Sequence, residues 1–313
     1  MDNIKIEEEF AKELKRIEIN GWYFDTKKAQ QLHLSLMEDM DGNSHLIDQT
    51  QTMLDYSYHS KRIRTDYKNF GTYTGRCSHK NPNIAGIPKG KLRGCFGVEE
   101  GNALIGTDAN QLDATMLAHY LANYDSGDFA KKLDEVDSIH TLNMEILGLE
   151  RPKAKAFYYA MLYGASDTKL GAMLGGDATL GETTKNNYRK ELKGLDNLEF
   201  NLKNRFESGY LNNILGQKIE IKNSWTSLNT LLQSASACVM KVFVVLLSEK
   251  IRMRDAKIVG FIHDEVQIEV DYKNVNDVVM MIDETWKEVS EYLSLKSTLT
   301  GNTVVGRNWE ETH

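Results

Sequence analysis

A chain of 313 residues that is 41% hydrophobic can bury one large core or divide it among two to three lobes. Its cysteines, Cys77, Cys95 and Cys238, are widely spaced and form no C-x-x-C pair, so neither a disulfide framework nor a cysteine zinc site is indicated, and a reducing cytoplasmic setting fits. The opening MDNIKIEEEF is too acidic and too broken for a signal peptide, no apolar run approaches the ~20 residues of a membrane span, and no membrane partner is expected.

The net charge of −7 argues against nucleic-acid binding as an average, because such surfaces usually carry Lys and Arg that displace counterions from phosphates. The average conceals a local excess. Between Ser60 and Arg93 stand Lys61, Arg62, Arg64, Lys68, Arg76, Lys80, Lys89, Lys91 and Arg93 against the single acid Asp66, a stretch of +8 that leaves −15 for the rest. It is either a phosphate-contacting segment or a solvated basic loop.

In chain order, KIEEEFAKELKRIE places Phe10, Leu14 and Ile17 at helical spacing, NGWYFD reads as a turn, and Asp25 caps a second helix predicted to run through Asp41. Residues 42 to 72 are polar and carry no clear period. From Gly71 to Gly97, Pro82, Pro88 and the glycines mark an extended or looping segment. NALIGTDA is a short apolar strand ending in an acid, and QLDATMLAHYLANY continues as a helix. Residues 127 to 210 read as helix-rich, QKIEIK as a strand and 228 to 254 as a long buried helix. AKIVGFI and VQIEVDY read as two strands joined by a tight turn containing His263, Asp264 and Glu265. An amphipathic helix over 274 to 293 precedes a short tail.

Asp108 and Asp264 are strand-end acids preceded by apolar stems. Two such carboxylates can share divalent cations, and magnesium favours one or two carboxylates together with substrate phosphates. Taken singly, an Asp at a strand end is more often a turn or cap residue. Between them lies RPKAKAFYYAMLYG, where Arg151, Lys155, Tyr159 and Tyr163 recur every fourth residue. At ~100° per residue each drifts only ~40° from the last, so all four share one helix face. Two cations and two aromatics in a row suit a triphosphate with its sugar and base. They equally suit a solvated cationic face with partly buried rings.

Asp108 in DANQLDATMLAH, the RPKAKAFYYAMLYG helix and the His-Asp-Glu turn occur in this order. They resemble the three polymerase motifs of family A DNA polymerases, the DNA polymerase I family, with the similarity strongest to its phage replicative branch. TYTGRCSHKNPNIAGIP, DSIHTLN, SLNTLLQSASACVMK and GRNW followed by a final His add to the resemblance, which spans 71 to 313 continuously and 8 to 41 more weakly. It implies template-directed DNA synthesis from deoxynucleoside triphosphates on primer-template DNA, as in phage replication inside a host cytoplasm. By the same resemblance, Asp108 and Asp264 bind two magnesium ions with help from the Ala109 carbonyl, and Glu265 lies beside them. His140, Arg151 and Lys155 hold the triphosphate, Lys155 also protonating the leaving pyrophosphate. Tyr163 occupies the template-base position until a fingers helix closes. Tyr159 stands where the family carries Phe or Tyr, and Tyr implies ready acceptance of dideoxynucleotides. Arg76, Asn83, Asn229, Gln233 and His263 match positions that touch primer or template.

The chain departs from the family pattern in places. Asp113 stands where the family usually has Glu against the sugar 2′ position, so a looser gate against ribonucleotides is expected. Thr115 replaces the usual Arg. Residues 42 to 70 are too short for a full thumb, the Pro88 to Arg93 loop is abbreviated, and no room remains for a 3′→5′ exonuclease domain. The expectation is a compact polymerase or the C-terminal half of a split one, with proofreading or processivity on a separate subunit. A single-subunit RNA polymerase is the first rival, disfavoured by Glu265 and Tyr159. A non-catalytic primer-template binding subunit is the second, disfavoured by retention of Asp108, Asp264, Arg151 and Lys155. The expected fold is α+β of the right-hand kind: an N-terminal helical region with reduced thumb over 1–75, an antiparallel palm sheet over 76–125 and 226–313, and a helical fingers insertion over 126–225.

Overall fold

The computed structural model describes residues 3–39, 43–136 and 138–313. Along the chain it forms α1 (Asn3–Asn20), β1 (Trp22–Phe24), α2 (Thr26–Glu38), α3 (Ser44–Ser57), β2 (Arg62–Ile63), β3 (Asp66–Lys68), β4 (Ser78–Lys80), β5 (Phe96–Gly97) and β6 (Asn102–Ala109). Next come α4 (Leu112–Asp125), α5 (Asp128–Glu135), α6 (Ile139–Leu147), α7 (Arg151–Leu162), α8 (Asp167–Met173), α9 (Ala178–Glu191), α10 (Leu195–Phe206), β7 (Tyr210–Asn212) and β8 (Lys218–Glu220). The remainder is α11 (Ser227–Ile251), β9 (Ala256–Ile262), β10 (Glu265–Asp271), α12 (Val275–Tyr292) and β11 (Gly301–Gly306). The mixture is α+β with antiparallel pairing, as expected. Two compact units share it: one comprises Met1–Asn110, Val239–Val289 and Thr300–His313, the other Gln111–Cys238 and Ser290–Leu299.

The first unit is organised by a four-stranded sheet in the order β11-β6-β10-β9. On β10, Val266, Ile268 and Val270 alternate with Glu265, Gln267 and Glu269, and both rows are buried. A buried polar row is tolerable only if each member is satisfied. Glu265 accepts from Trp309 Nε1 and Gln267 Nε2, Gln267 accepts from Thr312 Oγ1, and Glu269 accepts two bonds from Arg62 and one from Asn102. An aromatic cluster of Trp22, Phe24, Phe96 and Trp309 packs beside this sheet, with ring centroids 5.0–5.7 Å apart. Phe243 and Trp286 stack 3.6 Å apart elsewhere in the same unit.

The second unit is mainly helical and is punctuated by short polar caps: Ser138 caps α6, Ser166 α8 and Asp177 α9, each accepting from a backbone N–H of the first turn. The β7-β8 hairpin is its only strand pair among the described residues.

Several sequence expectations change. NGWYFD is not a turn: after Gly21, at φ +59, Trp22–Phe24 becomes the middle strand of a β2-β1-β5 sheet, too short for its alternation to register as a pattern. The unassigned 42–72 region contains α3, whose buried stripe includes Thr50 and Ser57 beside Met53. Both hydroxyls donate to carbonyls of their own helix, so polar letters occupied core positions and blurred the period. The second helix is indeed capped by Asp25 but ends at Glu38; Asp41 lies outside the described residues. The tail holds a further strand, β11, whose Gly301 leaves room for Trp286, where a Cβ would come within 2.0 Å of Nε1. Contrary to the hydropathy reading, 224–254 is apolar and long enough to cross a membrane by composition, and 89% of its most apolar window is buried within the protein.

Candidate active site

In the first unit, antiparallel register sets Asp108 of β6 opposite Glu265 of β10 on one side and Asn302 of β11 on the other. Glu265 therefore belongs to the strand rather than to the turn. The turn itself is the two residues His263 and Asp264, and His263 takes φ +57, as tight hairpins with primed turns require. The Ala109 N–H donates to the Asp264 carbonyl at 3.1 Å, which ties the end of β6 to that turn. Two acids far apart in sequence are thus placed by backbone pairing. Asp264 is exposed and the Asp108 side chain is 35% exposed, so both present hard oxygen donors to solvent. Among the described residues no group of three or more His, Cys, Asp or Glu is arranged to hold a metal ion.

Behind the acids is a buried support that the sequence reading did not assemble. Glu265 is 3% exposed. Burial pushes its carboxyl above the ordinary value, against the pull of the Gln267 and Trp309 hydrogen bonds and the Arg93 charge. His313 Nδ1 lies 3.1 Å from Glu265 Oε2 and 3.9 Å from Asp108 Oδ2. Burial, reinforced by Lys89 and Arg93, lowers that imidazole to about 4, so at neutral pH the ring is uncharged and the contact is not an ion pair. Arg93 stacks 4.0 Å over Trp309 and donates to the Ile87 carbonyl. In the sequence Arg93 stands only as part of a charge run. Its burial, 8% exposed, was the missing signal, and no local pattern announces it.

Near the hairpin turn, desolvation lowers the His263 ring below its ordinary value, the Arg76 charge adds to this and Asp264 opposes it. Arg76 and His263 thus sit in one electrostatic neighbourhood with Asp264. Asn83 is exposed at the entry to a single 3₁₀ turn, Ile84–Gly86. A cavity of about 760 Å³ between α2, α3 and residues 57–61 contains none of the predicted site residues.

In the second unit the α7 prediction is realised with one refinement: α7 covers Arg151–Leu162, and Tyr163 is its C-cap. Pro152 stands in the first turn, where its missing N–H costs nothing. Ala154, Phe157, Tyr158, Met161 and Leu162 form the buried face, so Arg151 and Lys155 are left exposed on the other. His140 is delivered by α6. Burial lowers its ring below the ordinary value, and the Lys155 and Arg151 charges lower it further, so these three lie within electrostatic reach of one another. The rings continue in a row: His140 to Tyr159 at 6.0 Å and Tyr159 to Tyr163 at 5.8 Å between centroids. The row ends on a carboxylate, for Tyr163 OH donates to Asp113 Oδ2 at 2.8 Å. Asn229, Gln233 and Ser236 share one stripe of α11 at i, i+4 and i+7, and Ser236 Oγ donates to Asp113 Oδ1 at 3.0 Å. Ser236 escaped the sequence reading. Of the DSIHTLN motif, Asp137 lies outside the described residues.

A family model described as DNA polymerase family A matches residues 10–311. The chain is 27% identical over 282 residues to the DNA-directed DNA polymerases of Enterobacteria phage T3 and Escherichia phage T7, a match covering 78% of this chain and 40% of each of those proteins. It is 32% identical over 247 residues to the DNA-directed DNA polymerase of Escherichia phage Phieco32, covering 67% of this chain and 40% of that one. The chain thus spans about 40% of the length of these relatives. Among solved structures, its fold is similar to the polymerase domain of Pol1 from M. smegmatis in complex with DNA primer-template and dNTP, with a TM-score of 0.86 at 17% identity, covering 97% of this chain and 70% of that one.

Proposed function

Since the chain belongs to DNA polymerase family A, we propose that it is a DNA-directed DNA polymerase, adding deoxynucleotides to a primer 3′ end on a template strand and releasing pyrophosphate. The observation that carries this reading is the register that pairs Asp108 with Glu265 and ties Ala109 to Asp264, because a fold with only a binding task has no need of two solvent-facing acids at adjoining strand ends.

Asp108 and Asp264, with the Ala109 carbonyl, are the residues that would hold two magnesium ions. Their oxygen donors fit a hard cation that completes its shell with substrate phosphates. When bound, magnesium neutralises charge on the attacking and leaving oxygens of an in-line displacement, a chemistry general to polymerases. The primer 3′ hydroxyl gives up its proton to solvent and its oxygen bonds to the α-phosphorus as the bond from that phosphorus to the oxygen bridging to the β-phosphate breaks. Arg151, Lys155 and His140 bind the triphosphate, and the Lys155 ammonium gives its proton to the departing pyrophosphate. Tyr159 contacts the sugar, Asp113 borders its 2′ position and Tyr163 occupies the template-base position before closure. Glu265 supports the acids. Arg76, Asn83, Asn229, Gln233 and His263 contact the primer-template.

By this reading 76–125 and 226–313 act as palm, 126–225 as fingers and 1–75 as a reduced thumb in which α2 and α3 are the helical remnant. The setting is phage-type replication in a host cytoplasm. The decisive experiment is primer extension with deoxynucleotides or ribonucleotides, with and without magnesium. Magnesium-dependent extension with deoxynucleotides, lost in Asp108→Ala while duplex binding persists, is the expected result; extension with ribonucleotides alone, or none in the unmodified chain, sinks the reading.

A further inference from the structure

We propose that Ser236 is a positioning residue for Asp113, holding its carboxylate in the place from which it excludes ribonucleotides. The inference rests on the proposed polymerase function and extends it to a residue that acts only through another.

Asp113 lies in the first turn of α4, and both of its oxygens are engaged: Oδ1 by the Ser236 hydroxyl at 3.0 Å and Oδ2 by the Tyr163 hydroxyl at 2.8 Å. A serine or threonine inside a helix ordinarily turns its hydroxyl back to the carbonyl four residues earlier, as Thr50, Thr52 and Thr285 do in this protein. Ser236 instead sends its hydroxyl across to Asp113. It is 2% exposed within the 25-residue α11, so its position is fixed by a long packed helix.

The second tether differs in kind. Tyr163 is the C-cap of α7, 42% exposed, and is followed by Gly164 at φ +77. It stands at a helix end, and by the proposed function it leaves its position when the nucleotide is enclosed. The Tyr163 bond is then lost while the Ser236 bond remains. Ser236 alone fixes the carboxylate in the state that performs chemistry. Asp is one methylene shorter than Glu, so it covers a given position only when its orientation is held. A carboxylate freed from Ser236 rotates about its side-chain torsions and admits a 2′-hydroxyl.

The test compares ribonucleotide and deoxynucleotide insertion, each as kcat/KM, in single-turnover primer extension. Ser236→Ala is expected to raise the ribonucleotide-to-deoxynucleotide ratio about tenfold, the change that loss of one hydrogen bond to a charged group makes. Ser236→Thr, which keeps the hydroxyl, restores the ratio towards that of the unmodified chain. Ser236→Cys, matched in size with a weaker donor, gives an intermediate ratio and decides the matter if the alanine variant fails to fold. In an Asp113→Ala background Ser236→Ala adds nothing further. Tyr163→Phe shifts the ratio less than Ser236→Ala. A ratio unchanged in Ser236→Ala and Ser236→Cys, or an effect that persists undiminished without Asp113, overturns the inference. Failure of the unmodified chain to insert deoxynucleotides at all refutes the polymerase reading instead, so the two failures are told apart.

Discussion

The acids of the first unit and the cation-aromatic row of the second are built on opposite principles. Asp108 and Glu265 are fixed by main-chain register and Asp264 by the turn that this register closes, and the buried polar row that Glu265 begins continues through Gln267 and Glu269. Arg151, Lys155 and Tyr159 project from one surface of α7 and Tyr163 caps its end, held by ring contacts and the hydrogen bond from Tyr163 to Asp113. Backbone register gives atoms that barely move; a helix surface gives atoms that a shift of the helix can re-aim. The first arrangement suits chemistry that must not vary, and the second suits choosing and enclosing a substrate.

The sharpest way to break the comparison is to remove an acid. Asp108→Ala or Asp264→Ala should lower primer extension on the order of 10³-fold or more, with thermal stability and duplex affinity retained, because several kcal/mol of transition-state charge stabilisation are lost. A drop of less than tenfold in both would show that register at these strand ends serves the fold alone.

Next in size is a blow to the frame itself. A Cβ at Gly260 of β9 would lie 1.8 Å from Trp22 Cζ2, at the centre of the aromatic cluster. Gly260→Ala should therefore destabilise the first unit by about 3 kcal/mol, read as a lower denaturant midpoint in urea. An unchanged midpoint would mean that the cluster yields more easily than its packing implies.

In the second unit the expected change is one of selection. Tyr159→Phe should reduce dideoxynucleotide insertion relative to deoxynucleotide insertion on the order of 10²-fold, since the phenol hydroxyl replaces the contact that a missing 3′-hydroxyl would make. Equal selectivity in both enzymes would remove Tyr159 from the sugar's surroundings.

The two regions also differ in how far the sequence exposes them. The α7 face could be read directly, because its residues recur at the helical period within one short segment. Asp108 and Asp264 could be named only as strand-end acids; their pairing depends on which strands neighbour which, and that is written across the whole chain. Ser236 and Arg93 had no local signal at all. A serine in an apolar helix and an arginine in a charge run become informative only through the groups they touch, Asp113 and Trp309. Among the strands missed, β1 and β11 fail for a related reason: three residues and a glycine-bounded segment are strands because of their partners, and their own letters carry little period.

The smallest predicted effect probes the buried row behind the acids. Glu269 is 1% exposed, and burial alone would raise its carboxyl. The Arg62 hydrogen bonds at 2.8 and 2.9 Å, the Asn102 bond at 2.7 Å and the Lys257 charge at 3.5 Å outweigh burial and hold it below the ordinary value of 4.5. Glu99 also reaches Arg62, at 3.2 Å, and shares its charge. A carboxylate whose folded value lies below its unfolded one stabilises the native state above the unfolded value and loses that contribution as pH falls through the folded one. Stability should therefore decline on acidification below about pH 4.5. Glu269→Gln should lower the neutral-pH unfolding free energy by about 1–3 kcal/mol, the cost of weakening hydrogen bonds to a charged group, and flatten its fall in acid, measured by denaturant titration from pH 7 to pH 3. An equally steep decline in the glutamine variant would place the acid sensitivity in other carboxylates and leave the polar row as packing without electrostatic work.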